Sequence, residues 1–211
     1  MKPWKKALII CNGPLPSRRR IAGWLDEETL IVCADGGANH ALARGVTPHL
    51  IIGDLDSLTD RTAAVLSGVE KIRVTSQENT DLEKVLDYLL AHGITRAVVT
   101  GATGRRPDHT FANFSILARY HSRLDLLFVD TWCRMEIVDG TVRRDLAPGT
   151  TLSLLPLGRC EGVTTKGLAY PLDNAVLEPG VRESISNRVS ASPVEVGLTL
   201  GKLLFFIVDR K

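Results

Sequence analysis

Asp54 and Asp56 stand two residues apart in Gly53-Asp54-Leu55-Asp56-Ser57, and a D-x-D pair in an extended or turning segment can bring both carboxylates to one hard cation such as Mg²⁺. The same pair also suits a solvated turn that caps a helix. Asp81 is a third carboxylate, followed at helical spacing by Lys84; as the first residue of a helix it would also complement the helix dipole. Three carboxylates gathered at neighbouring strand ends would repel one another unless a cation sat among them. Gly101 to Arg106 supplies the opposite chemistry. A loop holding Gly101, Thr103 and Gly104, with Arg105 and Arg106 beside it, offers backbone N–H groups and guanidinium groups to phosphate oxygens. It has neither the Walker A spacing nor G-x-G-x-x-G, so a bare turn is its other reading. Asp35-Gly36-Gly37, running on to Asn39, carries the same two readings. His109, beside Asp108 and close to Arg105, joins the phosphate-loop cluster or caps the helix that follows.

These residues need elements to hold them. From Ala7 to about Asp130, short apolar runs alternate with longer amphipathic stretches, which is the pattern of strand-helix units around a parallel sheet. The expected strands span 7–11, 29–33, 49–53, 71–75, 96–100 and 124–129, mostly aliphatic, as strands covered on both faces are. The clearest helix runs from Asp81 to His92. Leu82, Val85, Leu86, Leu89 and Leu90 form its apolar stripe, Thr80 and Glu83 its capping box, and Gly93 its stop, while Asp81, Lys84 and Tyr88 share the opposite flank. Four polar clusters then fall after strands, where open α/β sheets bind ligands. Beyond about Gly140 the helical period gives way to short strand-like segments punctuated by Gly and Pro, predicting a small antiparallel sandwich. The expectation is an α/β fold: a mostly parallel α/β sheet domain over 1–142, then an antiparallel β-sandwich domain over 143–211.

Composition narrows the function. With 211 residues and 44% apolar content the chain can bury a core without disulfides or structural metals. Its formal charge of +2 excludes nucleic-acid binding through a global field. Cys11, Cys33, Cys133 and Cys160 lie far apart with no zinc-ligand spacing and read as reduced thiols. No apolar run approaches membrane-spanning length and no export signal is evident, so a soluble, cytoplasmic protein without membrane partners is expected.

In order and layout these clusters resemble the thiamine pyrophosphokinase family. The resemblance is carried by ADGGAN (34–39), GDLDS (53–57), QENTDLEK (77–84), TGATGRRPDH (100–109), TTKGLAYPL (164–172) and SISN (184–187), and spans most of the chain. It implies transfer of the pyrophosphoryl group of ATP to the hydroxyl of thiamine, giving thiamine diphosphate and AMP, with Mg²⁺ required and a homodimer sharing its active sites. Asp54, Asp56 and Asp81 would hold Mg²⁺, and Lys84 and Arg105 would offset charge as AMP leaves. Asp81 or Asp108 would accept the alcohol proton. Asp35, Gly36, Gly37 and Asn39, with Gly101, Thr103, Gly104, Arg105 and His109, would form the nucleotide site; Tyr170, Ser184, Ser186 and Asn187 would hold thiamine. The chain departs from the family pattern at Glu78, where Asp is frequent, and at Tyr170, where some members have Trp.

Two rivals deserve weighing. A haloacid-dehalogenase-type phosphohydrolase also places D-x-D after an apolar strand, but its motif continues with Gly-Thr, whereas Ser57-Leu58 stands here. A nucleotide or thiamine sensor would keep the fold without turnover, yet would not need three metal-binding carboxylates together with Lys84 and Arg105.

Overall fold

The computed structural model describes residues 4–209, which divide between Thr131 and Trp132 into two compact units. The first contains β1 (Lys6–Ile10), α1 (Arg18–Ala22), β2 (Thr29–Ala34), α2 (Gly37–Ala43), β3 (Leu50–Gly53), α3 (Asp60–Val65), β4 (Glu70–Arg73), α4 (Asp81–Ala91), β5 (Arg96–Thr100), α5 (Pro107–Tyr120) and β6 (Asp125–Val129). Its strands are all parallel, in the order β4-β3-β2-β1-β5-β6. The chain therefore builds outward from β1 through β2, β3 and β4, then crosses back to place β5 and β6 on the other side. The direction of building reverses between β1 and β5, and the crevice at the carboxyl ends of the strands there is where such sheets bind ligands.

The strands form where the sequence is apolar at successive positions. Leu50 to Gly53 is buried throughout, as are Ala7 to Ile10, because helices cover both faces of the sheet. β4 lies at the edge and exposes Glu70 and Arg73. α4 follows its sequence pattern: Leu82, Val85, Leu86 and Leu89 are buried, Thr80 and Glu83 complete the capping box, and Gly93 takes the left-handed φ of 72° that ends it. This helix packs on β2 and β3, which puts its first turn at the strand ends where Asp35 and Asp54 emerge. No helix among the described residues is long and apolar enough to cross a membrane.

The second unit contains β7 (Cys133–Val138), β8 (Thr141–Arg144), β9 (Thr151–Pro156), β10 (Cys160–Lys166), β11 (Ala175–Leu177), β12 (Ser184–Arg188), β13 (Val194–Gly197) and β14 (Leu203–Val208). Within it, antiparallel strands run in the orders β12-β9-β14-β7 and β11-β10-β13-β8. Inward residues of both layers, among them Leu152, Leu154, Val163, Leu177, Val196, Leu203 and Phe205, share one apolar core, so the unit is a β-sandwich. The division precedes the 142/143 boundary read from the sequence because β7 and β8 belong here: β7 pairs with β14 and β8 with β13. Both are partly polar strands whose membership is fixed by distant partners, not by their own pattern.

Gly36 and Gly37 follow β2 for a packing reason. A Cβ on Gly37 would stand 2.0 Å from the Ile10 carbonyl oxygen, and one on Gly36 would stand 2.5 Å from the Asn12 amide nitrogen. Around Gly68 nothing lies within 4 Å. Gly37→Ala is thus expected to lower unfolding free energy by about 1–3 kcal/mol, the usual range for overpacking. Gly68→Ala should stay within about 0.5 kcal/mol of the parent. Equal denaturation midpoints for the two variants would contradict the close packing at Gly37.

Candidate functional site

The crevice holds a cavity of about 650 Å³. Asp54, Asp81, Lys84, Gly101, Thr103, Arg105 and His109 line it, from three of the sequence clusters, with Gln77, Glu78 and Asn79 of the Asp81 segment; of the cluster after β2 only Ala34 reaches it, and Asp35, Gly36, Gly37, Asn39 and Asp56 do not line it. The side chains come from different directions for structural reasons. Asp54 follows β3, Asp81 and Lys84 occupy the first turns of α4, the Gly101–Arg105 loop follows β5, and His109 lies in the first turn of α5. Asn12, Gly13 and Asn113 also line the cavity and were not singled out from the sequence. The signals were present: Asn12 and Gly13 follow an apolar strand, as the four clusters do, and Asn113 is one helical turn beyond His109.

The Gly101–Arg105 segment is held by specific bonds. Asn113 Nδ2 donates to the Ala102 carbonyl at 2.7 Å, Thr103 Oγ1 donates to Asp130 at 3.2 Å, and Arg105 donates to the Asn12 carbonyl at 3.3 Å. Gly101 has φ 70°, and its Cα faces the Cys11 carbonyl too closely for any Cβ. The loop is therefore pinned against the end of β1, while the Arg105 and His109 side chains remain exposed.

Opposite in charge stands a carboxylate group. Oxygens of Asp35, Asp54 and Asp56 lie within 4.8 Å of one another, with Asp35 buried, Asp54 half-buried and Asp56 exposed. Leu55 carries the left-handed φ of 69°, unusual for a branched side chain, and the turn lets the Asp56 N–H donate to Asp54 Oδ1 at 3.3 Å. That bond holds the Asp54 carboxyl below the usual carboxylate range. Asp35 also has a positive φ, 41°, and its Oδ1 is buried without a hydrogen-bond partner. An orphaned anionic oxygen beside two further carboxylates is the donor set that a hard cation such as Mg²⁺ satisfies.

Asp81 lies outside that trio and accepts from Lys84 Nζ at 2.9 Å, a pair in which the lysine side chain is almost fully buried. Burial raises the Asp81 pKa, the Lys84 bond and charge oppose the rise, and the charges of Asp35 and Asp54 add to it. Burial likewise pushes the Cys11 thiol up to about 12, with a further push from Asp81, so this cavity-lining cysteine stays protonated.

Other sequence candidates have different surroundings. Asn39 clamps the loop after β3: its Nδ2 donates to the Ser57 carbonyl at 2.8 Å, and its Oδ1 accepts from the Thr59 N–H and hydroxyl at 3.1 and 3.2 Å. Gly36 and Gly37 are buried, and Gly104 N–H donates to Thr110 at 3.4 Å. Asp108 is exposed and paired with Arg106 at 2.6 Å, which lowers its pKa. In the second unit, Tyr170 is exposed, Ser184 half-buried and Ser186 exposed with φ 56°. Asn187 is buried: its Oδ1 accepts from the N–H groups of Tyr170 and Arg188 at 3.2 and 2.8 Å, and its Nδ2 donates to the Tyr170 carbonyl at 2.7 Å.

Comparison with known proteins bears on these two units separately. Residues 22–128 match the family model described as thiamin pyrophosphokinase, catalytic domain, and residues 140–203 match thiamin pyrophosphokinase, vitamin B1 binding domain. The chain belongs to the thiamin pyrophosphokinase family. Thiamine pyrophosphokinase 2 of Oryza sativa subsp. japonica is 31% identical, covering 91% of this chain and 82% of that relative. The crystal structure of thiamin pyrophosphokinase from Geobacillus thermodenitrificans aligns with TM-score 0.85 at 25% identity over 98% of each chain. That of the Bacillus subtilis thiamine pyrophosphokinase shares the fold, with TM-score 0.87 at 23% identity over 98% of this chain and 100% of that one.

The family's catalytic-domain match encloses every candidate from Asp35 to His109 but begins after Asn12 and Gly13. Its vitamin B1 binding domain match encloses Tyr170, Ser184, Ser186 and Asn187. Within that domain Asn187 fixes the backbone that carries Tyr170. Asn187→Ala should therefore lower stability by about 1–3 kcal/mol, since it removes three part-buried hydrogen bonds to the backbone of Tyr170 and Arg188. Chemical denaturation measures this, and an unchanged midpoint would contradict the clamp.

Proposed function

We propose that the protein catalyses attack of the thiamine hydroxyl on the β-phosphorus of ATP, forming the new O–P bond as the bond to the bridging oxygen of AMP breaks, and so yields thiamine diphosphate and AMP. The observation that supports this most is the meeting in one cavity of Asp54, Asp81, a buried lysine and a pinned glycine-containing loop, with the oxygens of Asp35 and Asp56 close to that of Asp54. Phosphoryl-type transfer asks a protein chiefly for positioning and charge neutralisation, which is what these groups supply.

Asp54 and Asp56, together with Asp81 and the orphaned oxygen of Asp35, would hold Mg²⁺, whose charge would neutralise the triphosphate. The Gly101–Arg105 backbone, Thr103 and Arg105 would bind phosphate oxygens, and Lys84 and Arg105 would offset the charge that gathers on the bridging oxygen. Gly104 and His109 complete this nucleotide side, while Gly36, Gly37 and Asn39 serve it by fixing the backbone after β2 and β3. For the alcohol proton, Asp81 is better placed than Asp108: it lines the cavity and has a raised pKa, whereas Asp108 does not line it and is paired with Arg106. Tyr170, Ser184 and Ser186 would hold thiamine, the ring against its cationic thiazolium and the hydroxyls at its polar edges, with Asn187 acting through Tyr170. The assembly is read as a homodimer with shared active sites, and the location as cytoplasmic, in keeping with cysteines at 11, 33, 133 and 160 that form no disulfide.

Chromatography after incubation with ATP, Mg²⁺ and thiamine should show equal amounts of AMP and thiamine diphosphate. Both should vanish without thiamine or with a chelator. Asp81→Asn is expected to lower kcat on the order of 10²-fold with the fold retained. ADP as the product, or near-parental turnover in the variant, would contradict the reading.

Mg²⁺ should also raise the melting temperature, and by more at neutral than at acidic pH. The sign follows from Asp81: a raised pKa means that protons compete for this carboxylate over a wider acidic range, and the competition disappears as pH rises above that pKa. A thermal shift that grows on acidification would contradict the proposed ligand set.

A further inference from the structure

Glu83 is buried one residue before Lys84, yet it does not line the cavity. Its Oε2 accepts from the Thr80 N–H at 2.9 Å and the Thr80 hydroxyl at 2.8 Å, which leaves Oε1 for another partner. That partner is Arg119, near the far end of α5. One turn along α4, Asp87 Oδ1 accepts from the Tyr120 hydroxyl at 2.8 Å, and burial pushes that hydroxyl up to about 12, so it remains a donor. The Arg119 guanidinium lies 5.3 Å from the Tyr120 ring centroid, which helps hold it in place. Two polar rungs thus tie α4 to α5.

The two helices form different walls of the cavity. The first turns of α4 carry Asp81 and Lys84, and α5 carries His109, Thr110 and Asn113, the last of which holds the Ala102 carbonyl of the phosphate-type loop. Glu83 shares a turn with Asp81 and Lys84, so a shift of its carboxylate shifts theirs. Resting on the pyrophosphoryl-transfer reading above, we infer that Glu83 and Arg119, assisted by Asp87 and Tyr120, are positioning residues that fix the separation of the carboxylate wall from the phosphate-loop wall.

The energetics make this separable from a general role in stability. Removing Arg119, whose side chain is 60% exposed, leaves the buried Glu83 Oε1 without that partner and costs some stability, but Arg119→Lys keeps the charge and the Thr80 bonds engage Oε2, so a loss at the first turn of α4 can be told from a general one. Transfer, by contrast, is sensitive to small misplacements of the reacting groups.

The test compares Arg119→Met and Arg119→Lys with the parent, using steady-state kinetics and hydrogen exchange. For Arg119→Met we expect kcat lower on the order of 10-fold, KM for ATP within about twofold, and faster exchange confined to the first turn of α4. Arg119→Lys, which keeps the charge, should recover part of the loss. Unchanged kcat with unchanged exchange at that turn would overturn the inference, as would losses that track a general fall in melting temperature. A parent protein that forms no AMP contradicts the pyrophosphoryl reading instead. The exchange pattern then decides the brace alone: loosening of that turn supports it, and none overturns it.

Discussion

Negative charge is concentrated at the carboxyl ends of β2 and β3 and at the start of α4, and the rest of the site is arranged around that constraint. Asp35, Asp54 and Asp56 bring oxygens within 4.8 Å of one another, and Asp81 feels the charge of two of them. A buried, unpartnered carboxylate oxygen such as Asp35 Oδ1 is costly in a protein interior unless a cation or donor meets it. Lys84 meets part of the demand through Asp81. The Gly101–Arg105 loop lines the cavity that Asp54, Asp81 and Lys84 also line. An anionic ligand carrying a divalent cation would satisfy both groups at once, which neither a bare cation nor a bare phosphate would do.

The backbone bears visible costs for this arrangement. Asp35 and Leu55 both adopt left-handed φ values next to the carboxylates they help place. Gly53, Gly36 and Gly37 allow the strand ends to approach so closely that added Cβ atoms would meet neighbouring atoms at 2.6 Å or less. Strain of this kind persists only where surrounding structure imposes it, and here the surroundings are the buried strands β1, β2 and β3.

Much of the first unit was legible in the sequence because its determinants are local. The strands are apolar runs covered on both faces, and α4 announces itself through Thr80, Glu83, its leucine stripe and Gly93. The strand-end clusters marked the cavity for the same reason: polar residues after buried strands have few places to go. What stayed hidden depends on partners distant in the chain. β7 and β8 are strands because β14 and β13 pair with them, and β12 because it pairs with β9. Asn39 and Asn187 resemble ligand-binding amides in a motif, yet their side chains are occupied by backbone at Ser57, Thr59 and Tyr170. The burial of Asp35 and the Glu83–Arg119 pair likewise arise only once helices and strands have packed.

The central claim is that a divalent cation completes the carboxylate group around Asp35. The most direct measurement is a crystal structure of the protein with Mn²⁺ and a non-hydrolysable ATP analogue, locating the metal by anomalous scattering. The account predicts a metal at coordination distance from Asp54 and at least one of Asp35 and Asp56, with the analogue's phosphates reaching the Gly101–Arg105 loop. A triphosphate bound in the cavity with its metal held elsewhere, and Asp35 Oδ1 still without a partner, would contradict it.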